Sequence, residues 1–150
     1  MSVKRLGPGD EPILVSLATN DAAFDLDGRG GSLVPLDDDA GRRFLANPAV
    51  LFWTASDDDK VVGFLYCVVV PLRSGDGREV LLYEIGVRND FRRHGAGRAL
   101  LTEMEAWMRA NDVGEVWVLA DNPVAVEFYR DCGFTTDGQQ PTYMTRALPT

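Results

Sequence analysis

Arg92-Arg93-His94-Gly95-Ala96-Gly97-Arg98 joins a strand pattern ending at Val87 to a helical pattern beginning near Gly97. The start of a helix leaves several backbone N–H groups without intrahelical partners and carries a partial positive charge. Two glycines, Gly95 and Gly97, let the backbone curl tightly and come close to a ligand. Together these features predict an anion site. Arg92, Arg93 and Arg98 sharpen the expectation, because cations at a positive helix end are unfavourable without a partner, and the chain carries a formal net charge of −8. A bound pyrophosphate relieves that conflict; the alternative is a basic loop whose charges are simply solvated. No Gly-Lys-Ser/Thr follows, so a Walker-type loop is excluded.

Outward from the loop the pattern is that of a mixed sheet with helices. Upstream, Val50 to Ala55, Val61 to Leu72 and Glu79 to Val87 are rich in β-branched and aromatic residues. The turns Asp57 to Lys60 and Ser74 to Arg78 separate them, which predicts an antiparallel meander. A dinucleotide fold is disfavoured, since it starts from a βαβ unit. Downstream, Leu100, Leu101, Met104, Trp107 and Met108 form one apolar stripe of a helix over Arg98 to Asn111, read as core. Glu115 to Leu119 predicts a strand with a parallel neighbour. Asn122 to Cys132 predicts a helix with Pro123 in its first turn and Gly133 past its end. Phe134 and Thr142 to Leu148 read as closing strands.

The first 49 residues predict two helices, Glu11 to Ala23 with Asp10 as cap and Asp37 to Ala46 with three aspartates at its start, joined by a Gly- and Asp-rich loop over Phe24 to Pro35. The fold class is thus α+β, an α/β mixed sheet with helices packed on it, in a single domain over residues 1–150.

These segments resemble the GCN5-related N-acetyltransferase (GNAT) family. Arg92, Gly95 and Gly97 match its Arg/Gln-x-x-Gly-x-Gly/Ala pattern, and Asn122-x-x-Ala125-x-x-x-Tyr129-x-x-x-Gly133-Phe134 is similar to its second segment. The resemblance implies a predominantly antiparallel sheet of about six to seven strands with about four helices, and acetyl-CoA as cosubstrate. It implies that Ile85, Gly86 and Val87 pair with the pantetheine arm. Arg92, Arg93, His94, Gly95, Ala96, Gly97 and Arg98 would hold the diphosphate, and Asn122 and Tyr129 would complete the coenzyme site. Within the family the chain looks most like the aminoglycoside 3-N-acetyltransferases, through Arg5-Leu6-Gly7-Pro8, Lys60-Val61-Val62-Gly63 leading to Val70-Pro71-Leu72, and Tyr83-Glu84-Ile85-Gly86-Val87 running into Arg92-Arg93.

An amine must lose its proton to attack a thioester, so such an enzyme needs a base, oxyanion donors and an acid for the departing thiolate. Glu84 is the candidate base; its alternative is an edge-exposed residue or a structural ion pair. Related aminoglycoside enzymes carry an acidic residue there, commonly Asp, and the extra methylene of Glu84 leaves direct and water-mediated transfer both open. Tyr129 is the candidate acid by resemblance; its alternative is a half-buried core aromatic. Backbone N–H groups near Gly86 and Val87 are the candidate oxyanion donors. Asp25, Asp27, Tyr83 and Glu84 are candidate acceptor contacts, although alternation points Tyr83 to the opposite face from Glu84, where it would pack.

The chain is 45% hydrophobic and 25% charged, as ordinary globular proteins are, and its longest apolar run is too short for a membrane span. An acidic surface disfavours nucleic-acid binding and suits a small polycationic amine, though solubility alone accounts for it equally well. Met1 to Pro12 lacks the apolar stretch of a signal peptide, and the expectation is a cytoplasmic protein. Cys67 and Cys132 have no metal-ligand spacing, and no metal is expected. Relatives that dimerise leave a homodimer open. Two other readings also remain: acetylation of a polyamine, an amino-acid-like metabolite or a protein amine, and a module that holds acetyl-CoA without turnover.

Overall fold

The computed structural model describes residues 1–24, 33–139 and 141–150. The chain divides into two compact units, Met1–Leu119 and Ala120–Thr150.

The first unit is built on a five-stranded sheet in the order β1-β2-β3-β4-β5, with β1 Ser2–Arg5, β2 Val50–Asp57, β3 Lys60–Pro71, β4 Arg78–Val87 and β5 Val116–Val118. The first four are antiparallel neighbours and β5 runs parallel to β4. The meander and the parallel crossover follow the sequence expectation. Five strands, against six to seven expected, reflect two differences. Ser2–Arg5 pairs with Trp53–Ser56 although it holds a single apolar residue, Val3; edge pairing is a long-range event that a four-residue polar segment does not announce. Phe134 and Thr142 to Leu148 adopt no regular structure among the described residues.

The sheet has two faces. Leu51, Leu65, Cys67 and Leu82 are fully buried on one, against Leu100 and Met104 of helix α3, Ala96–Ala110. The Cys67 Sγ lies 3.7 Å from the Met104 sulfur. Gly63 permits this approach, since a Cβ there would stand 3.2 Å from Leu100 Cδ1 and 3.3 Å from the Gly86 carbonyl oxygen. The other face holds Val50, Phe52, Phe64 and Tyr66 under α1 Glu11–Thr19 and α2 Asp38–Ala46, with Leu6, Leu45, Ile13, Leu14, Leu17 and Phe44 completing the cluster. Phe52 stacks on Phe64 at 5.8 Å, and Phe44 meets Tyr66 edge-on at 5.2 Å.

Helix α1 ends four residues before the expected boundary. Thr19 Oγ1 and Asn20 Nδ2 each donate to carbonyls of its last turn, those of Val15 and Ser16, at 2.8 Å. A short 3-10 turn, Asp21–Phe24, follows. Asp10 sits at the cap position, but its carboxylate accepts from the Gly7 N–H and the Lys4 ammonium instead of from the helix. Asp37 does cap α2, accepting from Ala40 N at 2.8 Å. The two helices are tied by buried Glu11, which takes the Gly9 N–H and lies 3.7 Å from Arg42; at Gly41 a Cβ would stand 3.1 Å from Glu11 Cγ.

In the second unit α4, Pro123–Asp131, begins as expected, with Asn122 Oδ1 accepting from Ala125 N at 2.8 Å. It closes through left-handed Gly133, with Phe134 N donating to the Tyr129 carbonyl at 2.9 Å. No helix among the described residues is long and apolar enough to cross a membrane.

Candidate functional site

Tyr66 of β3 pairs with Glu84 of β4, and the next pair is Cys67 with Leu82. Tyr83 is therefore an extra residue, a β-bulge that resets the alternation of β4. The expectation that Tyr83 packs on the face away from Glu84 fails for this reason. Its ring stands 5.3 Å from that of Tyr66, on the Glu84 side, and it is 62% exposed.

Beyond the bulge β4 leaves its parallel neighbour. The β5 pairing ends at Leu82 with Val118, so Glu84, Ile85, Gly86 and Val87 are paired with β3 alone among the described strands. This open edge is what an extended, amide-bearing ligand arm needs. Gly86 is buried under Phe64, where a Cβ would come within 2.4 Å of Phe64 Cε1. No side chain fits at that position while the aromatic stack stays in place.

Glu84 is open to solvent on one side and hemmed in by neighbouring atoms on the other. This partial desolvation raises its pKa above the ordinary value, and the carboxylate of Asp21 raises it further. Asp21 reaches this region because the 3-10 turn is pinned at its other end: Phe24 packs edge-on against Phe64 at 5.6 Å. Tyr66 is half-buried, and desolvation followed by the nearby Tyr83 and Glu84 holds its phenol neutral to higher pH than usual. Sequence reading missed Asp21. The aspartates it selected, Asp25 and Asp27, lie outside the described residues.

The basic loop leads into α3, whose first residue follows Gly95 at φ 86°. Among the described residues no side chain caps this helix, and nothing lies within 4 Å of a Cβ built at Gly95. Ala96 and Gly97 are buried; Arg93, His94 and Arg98 are exposed. Arg93 is itself left-handed, at φ 66°. Arg92 is held by Asn89, its Nε and one terminal nitrogen lying 3.3 and 3.2 Å from Oδ1, and His94 Nδ1 is 2.9 Å from the Arg92 carbonyl oxygen. An uncapped 15-residue helix entered by a left-handed glycine, with open space in front of it and arginines beside it, fits a diphosphate.

In the second unit Tyr129 is buried, its ring 5.4 Å from Phe128 and 5.2 Å from Phe134. A hollow of about 620 Å³ lined by Asn122, Pro123, Val126 and Arg130 flanks the start of α4. In the first unit a hollow of about 310 Å³ lies between Asn20, Phe24, Lys60 and Arg88, and Glu84 is not among its walls. No group of three or more metal-ligating side chains occurs among the described residues.

The model of the acetyltransferase (GNAT) family matches residues 21–134. The chain belongs to this family. As a GNAT protein it is 31% identical over 150 residues to the mycothiol acetyltransferase of Streptomyces avermitilis, covering 98% of this chain and 47% of that protein. It is 36% identical over 86 residues to an uncharacterized N-acetyltransferase of Methanocaldococcus jannaschii, covering 55% of this chain and 38% of that one. The chain thus spans less than half the length of both curated relatives. Its GNAT fold superposes on an aminoglycoside acetyltransferase from an uncultured soil metagenomic sample, crystallised with trehalose and with sisomicin. The TM-scores are 0.86 and 0.83 at 22% and 21% identity, over 99% of this chain and 96% of that one.

Proposed function

We propose that residues 1–150 form one acetyl-CoA-dependent N-acetyltransferase domain whose acceptor is a primary amine of an aminoglycoside, with the 3-amino group as the expected position. The observation that carries this reading is Glu84: a carboxylate with a raised pKa, beside two tyrosines, on the end of β4 that is paired with β3 alone among the described strands.

The coenzyme would supply the acetyl group as a thioester. Ile85, Gly86 and Val87 would offer backbone groups to its arm. Gly95, Ala96, Gly97 and the side chains of Arg92, Arg93, His94 and Arg98 would hold its diphosphate, and Asn122 and Tyr129 are coenzyme residues by the family resemblance alone. Glu84 takes a proton from the bound ammonium, directly or through one water, freeing the amine lone pair for attack, and a raised pKa brings its basicity closer to the working range. Tyr129, the acid that the family resemblance implies, would supply the proton taken up by the departing sulfur. The aminoglycoside assignment is supported by the sequence resemblance, by the acidic chain and by the fold neighbours crystallised as aminoglycoside acetyltransferases.

A second reading keeps the chemistry and changes the acceptor to another small-molecule amine; it is favoured by the match of 98% of this chain to 47% of a mycothiol acetyltransferase. Release of free coenzyme thiol over a panel of amines decides between them. Turnover of sisomicin supports the first, turnover confined to other amines supports the second, and acetyl-CoA binding without turnover of any amine rejects both.

A further inference from the structure

Tyr83 poses a question that acetyl transfer alone does not answer. A strand without the bulge would point this ring at the opposite face of the sheet from Glu84. The extra residue instead sets it 5.3 Å from Tyr66, tilted by 50°, with 62% of its surface open. Tyr66 is the residue directly across the ladder from Glu84. The bulge therefore builds two tyrosine rings into the surroundings of Glu84, the candidate base.

We propose that Tyr83 is a specificity-determining residue: with Tyr66 it forms an aromatic wall for a second ammonium group of the acceptor, so the site takes amines carrying two or more positive charges in preference to monoamines. The inference deepens the acetyltransferase reading and rests on it.

The chemistry of the wall supports this. An aromatic face attracts an ammonium ion through its quadrupole, and more strongly when the pair is partly desolvated. Among the described residues the charge acting on Glu84 is that of Asp21 from the 3-10 turn, and Tyr66 of β3 feels both Glu84 and Tyr83. None of them is a cation. An acceptor with one amine gives up its charge to Glu84 when it becomes the nucleophile, and then nothing positive remains for Asp21 and the two rings. An acceptor with a second ammonium keeps a charge that both the carboxylate of Asp21 and the ring faces attract. Phe24 on Phe64 fixes the turn that carries Asp21, so this carboxylate belongs to a packed element.

Sisomicin and cyclohexylamine are titrated calorimetrically into the full chain and into Tyr83→Leu and Tyr83→Phe, with acetyl-CoA titrated as a control. Because Tyr83 is mostly exposed, both variants should melt with the wild type. Tyr83→Leu is expected to weaken sisomicin by about 2- to 30-fold, the range of a cation–π contact. Tyr83→Phe, which keeps the ring, should stay within about twofold, and acetyl-CoA affinity should not change in either. In steady state the Leu variant should show a raised KM for sisomicin with nearly unchanged kcat, and no change for cyclohexylamine. The inference is overturned by wild-type affinity for sisomicin in Tyr83→Leu, by an equal loss in Tyr83→Phe, or by absence of sisomicin binding to the wild type. Turnover of sisomicin that is indifferent to Tyr83→Leu sinks the inference and leaves the acetyltransferase reading standing. Ring-dependent sisomicin binding with no turnover supports the aromatic wall as an ammonium site and rejects sisomicin as the acetyl acceptor.

Discussion

Glu84 and Asp21 are 63 positions apart in the chain, yet the Asp21 carboxylate raises the pKa of Glu84 across the sheet face that Phe24 and Phe64 close. The pair sets the pH behaviour expected of the site. A base works when ionised, so kcat/KM should rise with pH through a midpoint above the ordinary 4.5 of a glutamate. Asp21→Asn removes the repulsion and should move that acidic limb to lower pH. A limb at the same pH in the variant rejects the coupling.

Glu84→Gln should lower the rate by about 10²-fold at neutral pH, the usual size of a lost general base. Its stability should change with the opposite sign. A carboxyl whose folded pKa is raised stabilises fully below its unfolded value and loses that contribution as pH rises through the folded one. At pH 7 the ionised Glu84 is therefore a liability. The variant should melt at or above the wild-type temperature, with the difference closing in acid. Near-wild-type turnover removes Glu84 from the role of base.

Gly95→Val should separate binding from folding. The added side chain meets no protein atom within 4 Å, so its direct cost is the left-handed backbone, about 1–2 kcal/mol. Acetyl-CoA affinity should fall much further, because the same open space is where the diphosphate is expected. Calorimetric titration against a urea melt checks both; unchanged coenzyme affinity rejects the loop as the anion site.

Gly86→Ala should destabilise by about 1–3 kcal/mol through overpacking. Its Cβ would come within 2.4 Å of Phe64 Cε1, and Phe64 is held by both Phe52 and Phe24. A urea midpoint equal to wild type would mean that the stack yields freely.

Cys67 should be silent as a nucleophile. Burial pushes its thiol up to about 12, so almost no thiolate exists at neutral pH. Iodoacetamide should modify the native protein at Cys132 alone and reach Cys67 only in denaturant, as peptide mass analysis would show. Rapid native labelling of Cys67 contradicts the packing described here.

Much of the architecture was legible because its signals are local. A helix start needs its cap, its proline and its unpaired amides within a few residues of one another. Asn122 caps its helix as expected, and the helices expected from Asp37 and from near Gly97 begin one residue away, at Asp38 and Ala96. The meander announced itself through β-branched runs broken by Asp-rich and Gly-rich turns. The motif pattern of Gly95, Gly97 and Asn122 to Phe134 pointed to the family that the comparison then matched over residues 21–134.

Other features came from pairing and packing, which act between residues far apart in the chain. Ser2–Arg5 is a strand only because β2 offers it an edge. Local rules placed Asp10 at its cap position but not its carboxylate, which turned back to Lys4 and Gly7, and they put Tyr83 on the wrong side of the sheet, because that side depends on the register of β4 against β3. Alternation along one strand is a property of that strand, but a bulge exists only relative to its partner. The amino acids alone determined the chemical groups, the helices that begin where caps stand and the basic, glycine-bearing loop that opens α3. Tertiary contact decided which tyrosine stands beside Glu84, which aspartate perturbs it and which edge of β4 stays open, because fields and registers are set by neighbours in space.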